Sequence, residues 1–212
     1  MSVRRRHCGD ERGLAVVEFA FVGLILLVIV AGAIDFGLAW RSGLALTDAS
    51  RNGARVGSSM AKNPSADYSV LSSVRASLES AGKLDATQVV VLYRSTTANG
   101  RPPSECITAP YTTGSADCIV MTGAQLNGIG PGNFSFVDDG DATTPPTGTG
   151  CASSNYTRRT ASWCPSQRLN ALTNAHYIGV FVRMRHDNLF KVLGASRMVE
   201  RYAVMKLEPD PI

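Results

Sequence analysis

At 212 residues the chain has room for one ordinary domain plus an anchor, which excludes two large domains. An apolar content of 44% excludes wholesale disorder. The net charge of +4 is modest, and the arginines clustered near the N-terminus have no interleaved aromatic residues, which argues against a nucleic-acid surface.

Residues 1–13 read as a short basic leader, with Arg4, Arg5, Arg6 and Arg12 diluted only by Asp10 and Glu11. From Leu14 to Trp40 the chain runs LAVVEFAFVGLILLVIVAGAIDFGLAW, in which only Glu18 and Asp35 ionise. A bilayer core of about 30 Å needs roughly 20 apolar residues as a helix, so this run predicts one membrane span at the N-terminus. The arginines before it place the N-terminus in the cytoplasm and everything after Trp40 outside. Arg41, Arg51 and Arg55 weigh the other way, but the leading cluster is nearer and denser.

A carboxylate inside a span costs roughly a few kcal/mol or more, so Glu18 calls for a partner or a function. Cleavage after Gly13 would create an α-amine on Leu14, one helical turn from Glu18 and on the same face. That amine neutralises the carboxylate within its own chain or on a neighbour during assembly. The plainer reading is a Glu18 that snorkels at the cytoplasmic interface. A rival cut is offered by Ala31-Gly32-Ala33, an A-x-A sequence like a signal-peptidase site, which would release a soluble domain starting at Ile34. The length of the apolar run, the glutamate in it and its continuation past Ala33 weigh against that cut.

Arg41 to about Met60 continues without proline and with many small residues, so the long helix is expected to run on until Asn63-Pro64-Ser65 breaks it. Within it Ala45, Ala49, Gly53 and Gly57 recur every four residues, a stripe along which another backbone can approach closely. The stripe serves either as a seam between subunits or as packing on the chain's own domain. Arg51 and Arg55 either pair with Asp48 or a partner's carboxylates or form a solvated face. A second helix is expected from Asp67 to about Lys83, with Val70, Leu71, Val74 and Leu78 on one side, Ser65 or Asp67 as its cap and Gly82 as its close.

Beyond Leu84 short β-rich runs take over. Thr87–Arg94 and Asp117–Thr122 read as strands by their Val, Ile and Tyr content. Residues 123–170, rich in Gly, Pro, Ser, Thr and Asn, read as a long surface excursion pinned by one disulfide. Ala175–Arg185 is the clearest strand, with Ile178, Val180, Val182 and Met184 forming an apolar face. Asn188–Leu193 is expected to form a helical turn, and Ser196–Leu207 a final strand. Of the five cysteines Cys8 precedes the span; the other four fall as two close pairs after it. They suggest disulfides Cys106–Cys118 and Cys151–Cys164 in an oxidising compartment, the other two connectivities remaining open. No C-x-x-C spacing favours a metal site instead.

Gly13, the apolar start at Leu14 and the Glu18-Phe19 pair together resemble the type IV prepilin processing signature. Asp35-Phe36-Gly37 and the segment from Ala45 to Arg55, ending in Arg51-Asn52-Gly53-Ala54-Arg55, are similar to the TadE-like family of minor pilins and pseudopilins. Asp35 and Asn52 stand where that family often has glutamate, and Leu207-Glu208-Pro209 also looks family-like. The resemblance covers roughly residues 12–55. It implies cutting after Gly13 by a prepilin peptidase, methylation of the new amine, and partners among other pilin and pseudopilin subunits and an inner-membrane assembly platform.

No catalytic constellation is legible: His7, His176 and His186 are scattered, there is no H-E-x-x-H and no glycine-rich phosphate loop, and His176 and His186 read as ordinary surface or edge residues. Asp138-Asp139-Gly140-Asp141 reads as a turn in preference to a calcium loop, and Asn133-Phe134-Ser135 and Asn155-Tyr156-Thr157 fit the glycosylation triplet. The expectation is therefore a non-enzymatic α+β protein with no cofactor, no metal and no nucleic-acid partner. Its organisation is a leader at 1–13, a transmembrane and pilin-like helix at 14–62, and an extracytoplasmic α+β domain at 63–212. Its expected role is that of a Tad-type pilus subunit in the inner membrane, acting in assembly initiation or adhesion. A permanently anchored secretion scaffold and a secreted domain cut after Ala33 are the alternatives.

Overall fold

The computed structural model describes residues 11–108, 117–138, 144–152, 157–158, 163–191 and 194–209. Proline-free and rich in Ala and Leu, the first stretch forms α1, Glu11–Met60, a single helix of 50 residues. It stops where Ala61 turns to φ 40° and the Asn63 side chain takes the next backbone amide, Oδ1 accepting from Ser65 N at 2.9 Å. Helix α2 follows at Ala66–Ser80 and buries Val70, Leu71, Val74 and Leu78. Ser65 occupies the cap position, but its hydroxyl donates to Asn63 instead of capping. Asp67 is not a cap either; it is buried for another purpose. Gly82 closes the helix at φ +63°, the conformation glycine adopts most freely, while Lys83 N donates to Leu78 O.

Strand β1, Thr87–Ser95, is followed by a short helix α3, Ser104–Ile107, and strand β2, Cys118–Thr122. Helix α4, Gly123–Asn127, opens on a capping box between Thr122 and Gln125. Strands β3, Phe134–Val137, and β4, Thr147–Ala152, pair as a separate hairpin, and β5 is the two-residue Thr157–Arg158. Strands β6, Tyr177–Asp187, and β7, Ser196–Lys206, complete a five-stranded antiparallel sheet of order β5-β2-β1-β6-β7.

The main core lies between this sheet and the two long helices, gathering Leu46, Ala49 and Ala54 of α1, the apolar side of α2, and Val90, Leu92, Ile178, Val180 and Val182 of the sheet. A smaller core covers the opposite face around Val91, Tyr93, Val120 and Phe181, so β6 is buried on both faces at its middle. There Gly179 stands across from Tyr93, whose ring occupies the space a side chain would need. Tyr93 Oη donates to Gly100 O at 2.8 Å, tying the 96–108 segment over the sheet, and Cys106–Cys118 pins the same cover. The second disulfide, Cys151–Cys164, also forms.

Two expectations are corrected. Residues 123–170 are not a plain surface excursion: Phe134 and Trp163 enter the main core, the Tyr68 ring lies 6.0 Å from both Phe134 and Phe136, and Arg168 is fully buried. These anchors are too widely spaced to show a period, and long-range packing alone selects them. The link between β6 and β7 is no helical turn among its described residues. Asn188 N donates to Ala195 O at 3.0 Å and its amide side chain to Gly194 O at 2.8 Å, closing a hairpin tip with Lys191 and Gly194 at positive φ.

Candidate functional site: the junction of the apolar helix and the sheet

Helix α1 divides into two halves. From Ala15 onward it is long and apolar enough to cross a membrane, and the most apolar window is bare of any other part of the chain. Gly13, Glu18 and Phe19 lie on this bare half, all exposed, with Leu14 in the helix between them. Tertiary contact begins at Asp35, the first buried side chain on the helix.

Beyond that point the β6–β7 hairpin runs along α1, and the contacts advance in step. Ser58 Oγ donates to Lys206 O at 2.5 Å. A Cβ on Gly57 would lie 2.6 Å from Ile178 Cδ1, and one on Gly53 would lie 2.5 Å from Val74 Cγ2 and 3.4 Å from Val180 Cγ2. The guanidinium of Arg201 crosses Gly43, and Ser42 meets His186. At the end, Asp35 Oδ1 accepts from the amides of Leu189 and Phe190 at 2.8 and 3.1 Å. The small-residue stripe therefore faces the chain's own domain: Ala49, Gly53 and Gly57 are buried in it and Ala45 is half-buried at its margin. Arg51 and Arg55 lie on the exposed side of the helix.

Phe36 stays exposed beside Trp40, ring centroids 6.4 Å apart, with the Arg197 guanidinium 6.0 Å from the Phe36 centroid. Gly37 faces open space. Thus Asp35, Phe36 and Gly37 do different things: the carboxylate receives the hairpin tip, the aromatic ring looks outward, and the glycine meets nothing.

His186 corrects a further expectation, because it is buried and not an edge residue. Ser42 Oγ donates to Leu38 O at 3.1 Å and so accepts from Nδ1–H of His186 at 3.2 Å. That tautomer leaves Nε2 bare and buried. Burial, with Lys83 and Arg197 nearby, pushes the imidazole below its usual 6.5 and keeps it neutral. Ser42 is fully buried in the helix–sheet seam, and His186 is nearly so.

A second polar device lies in the main core. Arg168 Nη2 donates to Asp67 Oδ1 with both side chains essentially inaccessible, and the Trp163 ring lies 4.1 Å from the guanidinium carbon. Burial pushes the Asp67 carboxyl up against the opposing pull of Arg168. The sequence offers Asp67 as a cap of α2 and does not single out Arg168, so the pair is visible only in the fold. Among the described residues no group of three or more His, Cys, Asp or Glu is placed to hold a metal ion. Asp138 is exposed, whereas Asp139–Asp141 and Asn155 lie outside the described residues, as does the leader at 1–10. Asn133 is half-buried, its Oδ1 accepting from Gly130 N at 2.9 Å.

The bare half-helix, the Asp35 contact and the glycine seam all fall within one segment. Residues 13–55 match the TadE-like protein family. The match covers about a fifth of the chain, ending two residues past Gly53 in the seam. No curated protein and no solved structure matches the chain. In the TadE-like segment, Gly13 and Glu18 lie exposed near the N-terminal end of α1, and Asp35 through Arg55 form the part that carries the sheet.

Proposed function

We propose that this protein is a minor pilin or pseudopilin of a Tad-type pilus, held in the inner membrane by α1 with its disulfide-tied domain outside the cytoplasm. A prepilin peptidase cuts it after Gly13, and it acts in pilus assembly initiation or adhesion. The observation that carries this reading is the division of one continuous helix into a bare apolar half and a half built into an α+β domain, within the segment that matches the TadE-like family. A bare apolar half with a carboxylate at Glu18 suits a helix that lies among lipids first and among other pilin helices later. The new amine on Leu14 would then neutralise Glu18 in either setting.

The reading is of a structural subunit in preference to a catalyst; the serine–histidine contact described, Ser42 with His186, lies buried in the helix–sheet seam. Its partners would be the prepilin peptidase, neighbouring pilin and pseudopilin subunits and the inner-membrane assembly platform. Intact mass and N-terminal sequencing of the protein from its native membranes test the proposal. A chain beginning at Leu14, with or without a methyl group, is the expected result. One beginning at Ile34 replaces the reading with a secreted domain, and one retaining Met1 or Ser2 with a permanent anchor.

A further inference from the structure

We propose that the β6–β7 tip is a second membrane contact, with Leu189 and Phe190 entering the headgroup region of the leaflet from which α1 emerges. This rests on the reading of α1 as a membrane span. Level is the first argument. From Ala15 to Asp35 a helix rising 1.5 Å per residue covers about 30 Å, the thickness of a bilayer core. The tip is tied to the helix at Asp35 by two main-chain amides, so a span that begins at Ala15 ends where the tip sits.

Direction is the second. The hairpin follows α1 from Ser58 through Gly57, Gly53 and Ser42 to Asp35, so its tip points at the bare half of the helix, and no described contact lies beyond it.

Chemistry is the third. Leu189 and Phe190 are 65% and 50% exposed, although they adjoin a buried carboxylate whose burial they complete. On the helix at the same level, Phe36 and Trp40 are 54% and 61% exposed. Tryptophan gathers at membrane interfaces, and Trp, Phe and Leu side chains insert at the headgroup and acyl boundary. Cations stand beside them: Lys191 follows Phe190 in the tip, Arg41 follows Trp40, and Arg197 lies over Phe36. The nearby acid, Asp187, is paired with Arg185. A ring of apolar side chains backed by cations fits the headgroups and outer acyl chains of anionic phospholipid. With α1 it gives the domain two fixings, which would limit its tilt on the membrane and must be released when a subunit is extracted.

The test places a nitroxide on single cysteines of the full chain, in a Cys8→Ser background, in vesicles of phosphatidylethanolamine and phosphatidylglycerol. Phe190→Cys reports the tip and Ile25→Cys the bare helix. Leu172→Cys is the control, an exposed leucine at the far end of the hairpin, where its carbonyl accepts from Lys206 Nζ. The expected result is an oxygen-to-nickel accessibility ratio at 190 several-fold above that at 172, approaching that at 25. A ratio at 190 equal to that at 172, with 25 still lipid-like, overturns the tip contact and leaves the span intact. Low access to both quenchers at 190 reports burial against protein, such as a second copy, and overturns the lipid assignment. A water-like reading at 25 removes the span and the tip contact together.

Discussion

Replacing Gly53 by alanine tests the packing of the small-residue stripe on the chain's own domain. The new methyl would sit 2.5 Å from Val74 Cγ2 and 3.4 Å from Val180 Cγ2, both fully buried. Apolar carbons prefer about 3.5–4.0 Å, so α1 and α2 must part by roughly 1 Å or Val74 must turn. A valine in a helix has one strongly preferred rotamer, which makes the second escape costly. Overpacking of this kind costs about 1–3 kcal/mol, and the gain in helix propensity returns about 1 kcal/mol. A contact of 2.5 Å belongs at the upper end of that range, about 2–3 kcal/mol, so the net expectation is a loss of about 1–2 kcal/mol. Gly37→Ala, on the same helix with nothing within 4 Å, keeps only the propensity term and should lose nothing. The assay is urea unfolding of the full chain in detergent micelles, followed by the buried Trp163 in a Trp40→Phe background. A Gly53→Ala chain as stable as its parent would refute the reasoning.

Arg168→Met strands the Asp67 carboxylate in the core and should cost about 3–5 kcal/mol at neutral pH in the same assay. Without the guanidinium, the folded pKa of Asp67 stands above its unfolded 3.8, so the folded state binds the proton more tightly. The variant should therefore recover at low pH and lose stability as pH rises through the folded value; adding Asp67→Asn should remove that dependence. His186 and His176 are both depressed below 6.5 in the fold, chiefly by burial, and His176 Nδ1 accepts from Leu169 N. The stability they support is present above 6.5 and is lost as pH falls below it toward the folded values. A urea midpoint that declines below about 6.5, and declines less in His176→Gln/His186→Gln, is the expected result; an unchanged slope in the double variant would count against neutral histidines.

What the sequence alone determined is what neighbouring residues decide among themselves. The apolar run from Leu14 fixes a bare helix, proline at 64 ends it, Gly82 closes α2, and alternation across Ile178–Met184 makes β6. Cysteines a dozen residues apart in Gly-, Pro-, Ser- and Thr-rich surroundings suggest local pairing, and the fold realises that one of the three connectivities. Only the tertiary structure decided partners. Asp35 meets the amide of Leu189 154 residues away, Ser42 meets His186 across 144, and Asp67 meets Arg168 across 101. An aspartate near a helix start satisfies a cap and an ion pair equally well, and a glycine stripe fits any smooth surface. Which is realised depends on which surface the folded chain brings within reach. That choice is a matter of packing between distant segments, and no local pattern encodes it.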